Sequence, residues 1–91
     1  MGDIVSFHAV VRGRVQGVGF RYFARQRAEV LGVNGFVRNL PDGSVELHAE
    51  APSPVLEAFE AELRRGPSFG RVEEAVVTPI KPRGFHAFEI R

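Results

Sequence analysis

Three glycines, a glutamine and two arginines fall within nine residues, Gly13-Arg14-Val15-Gln16-Gly17-Val18-Gly19-Phe20-Arg21. Glycine reaches positive φ freely, so such a loop can turn several backbone N–H groups toward one point. A helix starting directly after the loop adds the positive end of its dipole. The guest such a cradle suits is an oxyanion, phosphate above all. Arg21 falls in that first helical turn, where its cation opposes the dipole and is mildly unfavourable unless it has a task. Alone it would read as a solvated surface arginine; beside the loop it reads as a ligand for the anion. Asn39 is the other residue of interest. Its strand points it away from Arg38 and Leu40, to a single side. Periodicity does not say whether that side meets the loop, and the nearby Pro41-Asp42-Gly43 also allows a plain edge or turn asparagine.

The elements around these residues follow from the hydrophobic pattern. Ile4 to Arg12 alternates as a strand, with Val5, Phe7, Ala9 and Val11 on one side, and stops at Gly13. Phe20 to Leu31 has helical spacing, and Gly32 supplies a left-handed stop. Phe36 to Leu40 and Ser44 to Ala51 form a hairpin across Pro41-Asp42-Gly43. In the second of these runs Val45, Leu47, Ala49 and Ala51 face the core, while Ser44, Glu46, His48 and Glu50 are expected to face water. Ser53 reads as a helix cap and Pro54 as the first helical residue. Leu56, Phe59 and Leu63 give the apolar stripe, and Gly66-Pro67 the stop. Arg71 to Ile80 and Phe85 to Ile90 are the last strands. This βαββαβ order with a short final strand predicts a ferredoxin-like α+β sandwich, two helices on one face of an antiparallel sheet of four to five strands.

Two familiar phosphate motifs do not fit. The nucleotide P-loop needs Lys and Ser or Thr after its last glycine, and Lys81 is the first lysine of the chain; the dinucleotide fingerprint needs glycine where Tyr22 stands. The run Val11 to Arg21 instead resembles the first signature of the acylphosphatase family, matching it throughout. Gly35-Phe36-Val37-Arg38-Asn39, with Gly43 and Val45, resembles the second, and departs from it only at Ala51, where the family usually has glycine. The likeness spans essentially the whole chain. It implies that Arg21 and the amides of Gln16, Gly17, Val18, Gly19, Phe20 and Arg21 hold the substrate phosphate, and that Asn39 positions the attacking water. Ala51, at a strand end, is expected to touch backbone freedom rather than chemistry.

What the site lacks narrows the chemistry. The chain has no Cys, no apparent metal cluster and no Ser-His-Asp arrangement, so neither a covalent phosphoenzyme nor a metal-activated water finds support, and no metal or cofactor is expected. A cradle, one guanidinium and one amide stabilise charge and position groups, but include no general acid. The substrate must therefore carry a leaving group that departs unaided. A carboxyl–phosphate anhydride does, because a carboxylate has a pKa of about 4 to 5. An alkyl phosphate would have to expel an alkoxide. Inorganic phosphate is then both product and inhibitor.

Composition bounds the rest. Ninety-one residues make one domain, 1–91, whose 44% hydrophobic content suffices for a single core. His8, His48 and His86 stand about 40 residues apart, without ligand spacing, and read as surface or packing residues. The net charge of +1 makes no case for nucleic acid or membrane partners. Between Arg12 and Arg38, however, six arginines meet one acid, Glu29. RNA-recognition domains share the element order but stack bases on strand aromatics, where this chain would present Ser44, Glu46, His48 and Glu50. A domain that binds a phosphorylated ligand without turnover, as a detached part of a larger carbamoyl-handling enzyme, is a further alternative; the presence of both Arg21 and Asn39 argues for turnover. Met1-Gly2 through Ser6 fits a loose myristoylation pattern, but Ser6 falls in a strand and leaves little free tail. No apolar run approaches the roughly 20 residues of a membrane span and no secretory leader is visible, so a cytoplasmic monomer is expected. Eleven Arg against one Lys marks a bias whose origin the sequence leaves open.

Overall fold

Alternating apolar residues on three long strands need a cover, and two amphipathic helices supply it. The computed structural model describes residues 3–91, so Met1-Gly2 of the myristoylation pattern lie outside the described residues. The elements are β1 (Ile4–Arg14), α1 (Phe20–Leu31), β2 (Asn34–Asn39), β3 (Val45–Pro52), α2 (Ser53–Arg65), β4 (Arg71–Ile80) and β5 (Phe88–Ile90). The sheet order is β4-β1-β3-β2-β5. Its four longer strands are antiparallel, and β5 adds to β2 in parallel, so the sheet is mixed at one edge. This is the ferredoxin-like α+β sandwich.

The core lies between the helices and one sheet face. Phe7, Ala9 and Val11 of β1, Val37 of β2 and Val45, Leu47, Ala49 and Ala51 of β3 pack against Phe20, Ala24 and Ala28 of α1 and Leu56, Phe59 and Leu63 of α2. Phe59 stacks on Phe7 at 6.5 Å and meets the edge of Phe88 at 5.8 Å. Burying each large side chain here contributes about 1.5–3 kcal/mol. Ala51 belongs to this core at 1% exposure, opposite Val5.

Three sequence expectations shift. β1 does not stop at Gly13: a bulge between Arg12 and Gly13 lets it continue, pairing Gly13 with Val72 and Arg14 with Arg71 of β4. Only glycine fits there, since a Cβ would lie 2.2 Å from the Arg71 carbonyl oxygen, and φ is +129°. Ser53 is not a cap: β3 runs through Pro52 straight into α2, Pro52 takes the N-cap position, and no side chain caps the helix. The outer face of β3 is not wet. Ser44, His48 and Glu50 are each under 5% exposed. Ser44 is held within the hairpin turn by Asp42 and Gln16. His48 and Glu50 are covered because residues 81–87 cross that face as a strap, so that the last strand begins at Phe88 and not at Phe85. Phe85 of the strap packs on His48 at 4.9 Å and on Phe36 at 5.9 Å. The strap is held by Glu50, which accepts backbone N–H groups from Arg83, Gly84 (3.0 Å) and Phe85 (3.0 Å).

Candidate active site

Between β1 and α1, Val15 is buried and Val18 packs on the core, so the loop is pinned from inside by its apolar residues. Gly17 and Gly19 take φ of +74° and +80°, and among the described residues no non-glycine residue has positive φ, so the sign of φ alternates along residues 16–19. Alternation of that kind turns successive N–H groups to one side as an anion-binding nest. Among the described residues the amides of residues 16–19 have no backbone acceptor. α1 then starts at Phe20 with Gly19 as its N-cap, no side-chain cap and no acid in its first turn. Its first hydrogen bond runs from Phe23 N–H to the Gly19 carbonyl at 2.9 Å, leaving the first-turn donors free. Arg21 stands in that turn, half-buried, with no ion-pair partner among the described residues.

Register puts Asn39 at the same end of the sheet. Asn39 of β2 pairs with Val45 of β3, and Val45 pairs with Val11 of β1, three residues before β1 ends. Paired residues share a face, so Asn39 lies on the helix side with Val45 and Val11, about two strand spacings or 10 Å from β1. Its Oδ1 is buried and makes no hydrogen bond among the described residues. An unsatisfied buried acceptor costs about 1–3 kcal/mol, so it calls for a donor such as water.

Gln16 joins the two halves. Its Nε2 donates to the carbonyls of Leu40 and Ser44, both at 2.8 Å. These are the hairpin residues between β2 and β3, closed by Leu40 N–H to Ser44 carbonyl at 2.8 Å. Asp42 braces the turn, its Oδ1 accepting from the Ser44 N–H at 3.0 Å and the Ser44 hydroxyl. The Ser44 hydroxyl and then the Ser44 amide hold the Asp42 carboxyl below its ordinary range. Both hydrogens of the Gln16 amide are thus spent as a strut, and its backbone N–H is the donor left for an anion. Nothing in the sequence spacing signals this strut, because it spans 24 and 28 residues.

Ser6, His48 and Glu50 meet on the opposite face. The Ser6 Oγ lies 3.1 Å and the Glu50 Oε2 2.9 Å from the same nitrogen, His48 Nε2. A hydrolytic triad needs one ring nitrogen for each partner, so this cluster is not one. Burial pushes the Glu50 carboxyl up, but the Arg83 amide, His48 and the Phe85 and Gly84 amides outweigh it and hold it below its usual value. Burial likewise raises Glu46, and its hydrogen bonds from His8 and Arg38 reverse the direction. Among the described residues no three His, Cys, Asp or Glu side chains gather as a metal site, and no helix is long and apolar enough to cross a membrane.

The fold and the site define a class: ferredoxin-like sandwiches with a polar site at one end of the sheet, built from the β1–α1 loop and the β2–β3 hairpin. Within that class the chain belongs to the acylphosphatase family, whose model matches residues 7–90. It is 46% identical to an acylphosphatase of Thermus thermophilus over 82 residues, 90% of this chain and 93% of that one. The crystal structure of acylphosphatase from Bacillus subtilis superimposes with a TM-score of 0.93 at 39% identity, covering 96% of this chain and 98% of that one. A full-length HypF, solved in a phosphate- and nucleotide-bound form, matches with a TM-score of 0.89 at 26% identity over 100% of this chain and 12% of its own.

Proposed function

We propose that the chain hydrolyses acyl phosphates to a carboxylate and inorganic phosphate without a metal or cofactor, as a cytoplasmic monomer of one domain, 1–91. The observation that carries the reading is the buried, unpartnered Oδ1 of Asn39, held by the Gln16 strut beside a loop of unpaired amides. The amides of Gln16 to Arg21 and the Arg21 guanidinium take the three non-bridging phosphoryl oxygens. Asn39 Oδ1 accepts a hydrogen bond from water and aims its lone pair at phosphorus, in line with the anhydride oxygen. As the P–O bond to the acyl group lengthens, charge grows on oxygens already facing donors, and the carboxylate leaves without a proton. A loose phosphoryl-transfer transition state asks little of a base, so a neutral amide suffices. The water proton passes to a phosphoryl oxygen. Both halves of the site come from one chain, which supports action as a monomer.

The likeness to part of HypF favours one other reading, a domain that holds a phosphorylated ligand without turnover. Mixing the protein with acetyl phosphate and following loss of the anhydride separates the two: hydrolysis is expected, and binding without it overturns the proposal. Inorganic phosphate should inhibit competitively. EDTA should leave the rate unchanged, and a loss restored by magnesium would overturn the metal-free scheme.

A further inference from the structure

On its two sides the cradle loop has different neighbours. On one side Gln16 fastens it to the hairpin that carries Asn39. On the other, Gly13 lies against the Arg71 backbone, and the Gly70 position lies 3.1 Å from the Arg14 carbonyl oxygen when given a Cβ. That second side opens into a concavity of about 1020 Å3, lined by Gly19 at the end of the loop, Tyr22 and Arg25 from α1, and Gly66, Pro67 and Gly70 from the segment joining α2 to β4. Gly19 belongs to both cradle and concavity, so the two adjoin at that residue. The space is far larger than a phosphate requires and is of the size that holds a drug-sized molecule.

In-line displacement places the attacking and leaving oxygens on opposite sides of phosphorus. With water on the Asn39 side, the acyl group must leave on the side of this concavity. We propose that the groove is the acyl-group subsite and that Tyr22 makes it prefer bulky aromatic acyl phosphates; this rests on the hydrolytic reading above. Tyr22 presents its ring at 66% exposure, with the Arg25 guanidinium over it at 5.4 Å from the centroid. The cation braces one face of the ring and leaves an edge and the other face for an acyl group. Gly66, Pro67 and Gly70 form the opposite wall, where Pro67 offers an apolar contact. Arg25 lies one helical turn beyond Arg21, so the subsite begins where the phosphoryl ligand ends.

The test is the ratio of kcat/KM for benzoyl phosphate to that for acetyl phosphate, in the wild type, Tyr22→Ala, Tyr22→Phe and Phe69→Ala. Tyr22→Ala should lower the ratio about threefold or more, the scale of one lost aromatic contact. Tyr22→Phe should keep it, and so should Phe69→Ala, an exposed aromatic of the same segment that does not line the groove. An unchanged ratio in Tyr22→Ala, or an equal fall in Phe69→Ala, overturns the subsite while leaving acyl phosphate hydrolysis standing. Wild-type protein that hydrolyses neither compound overturns the hydrolytic reading itself.

Discussion

Among the described residues Asn39 Oδ1 has no hydrogen-bond partner and the Arg21 guanidinium no ion-pair partner, one an acceptor in a dry place and the other a cation at the wrong end of a helix. That difference in kind separates their tests. Arg21→Ala should cut turnover by about 10² to 10⁵, because it removes a charge that faces the transferring phosphoryl group. It should weaken phosphate inhibition as well. Arg21→Lys should not restore the rate, since a point charge lacks the guanidinium fork. Asn39→Ala should lower kcat by a large factor and leave the phosphate inhibition constant nearly unchanged, because water, not phosphate, loses its acceptor. Asn39→Asp keeps an acceptor but brings a negative charge toward an anion, so it should weaken phosphate binding too. Steady-state kinetics with phosphate as inhibitor distinguishes the cases. An Asn39→Asp variant faster than wild type would mean that the site wanted a base.

Among the elements, alternation made most of the helix face legible, since Phe7, Ala9 and Val11 and then Val45, Leu47, Ala49 and Ala51 all point into the core. It failed on the other face, because alternation states which residues share a side and not what lies above them. Residues 81–84, Lys81-Pro82-Arg83-Gly84, read as plain loop and Phe85 as the start of the last strand, yet residues 81–87 together bury His48 and Glu50. The site followed the same rule: the cradle is local and legible in its glycines, whereas the Gln16 strut and the side taken by Asn39 depend on long-range register. The Glu50 clamp gives a testable consequence. Its folded pKa lies below the ordinary value of about 4.3, so its contribution is present in full above that value and is lost as pH falls through the folded pKa. Glu50→Gln should therefore destabilise the neutral protein by about 2 kcal/mol, roughly 10 °C in Tm. The gap between wild type and variant should shrink as melts are taken from pH 6 down to pH 3. A gap that stays constant across that range would show that the carboxylate charge does not hold the strap.

Across the whole molecule, ion pairing sorts the arginines of the positive third into two groups. Arg12 pairs with Glu74, Arg27 with Glu62 and Arg38 with Glu46. The exposed Arg12–Glu74 pair contributes about 0–1 kcal/mol, and all three pairs cancel local charge. Arg14, Arg21 and Arg25 make no ion pair among the described residues, and all three flank the cradle or the groove beside it. Three unpaired cations of a protein of net charge +1 thus stand where an anionic substrate must arrive, with Glu29 at the groove as the opposing charge. Such placement accelerates encounter more than it strengthens the final contacts, and salt screens it over about 10 Å at 0.1 M. Raising sodium chloride from 20 to 300 mM, or roughly the range over which that length falls several-fold, should lower kcat/KM for acetyl phosphate while kcat at saturation changes little. Arg14→Gln should flatten the slope without abolishing turnover, because Arg14 ends β1 and lies outside the first turn of α1. If kcat and kcat/KM fall in parallel with salt, the charge acts on the bound transition state and not on arrival, and the steering role of Arg14 is wrong.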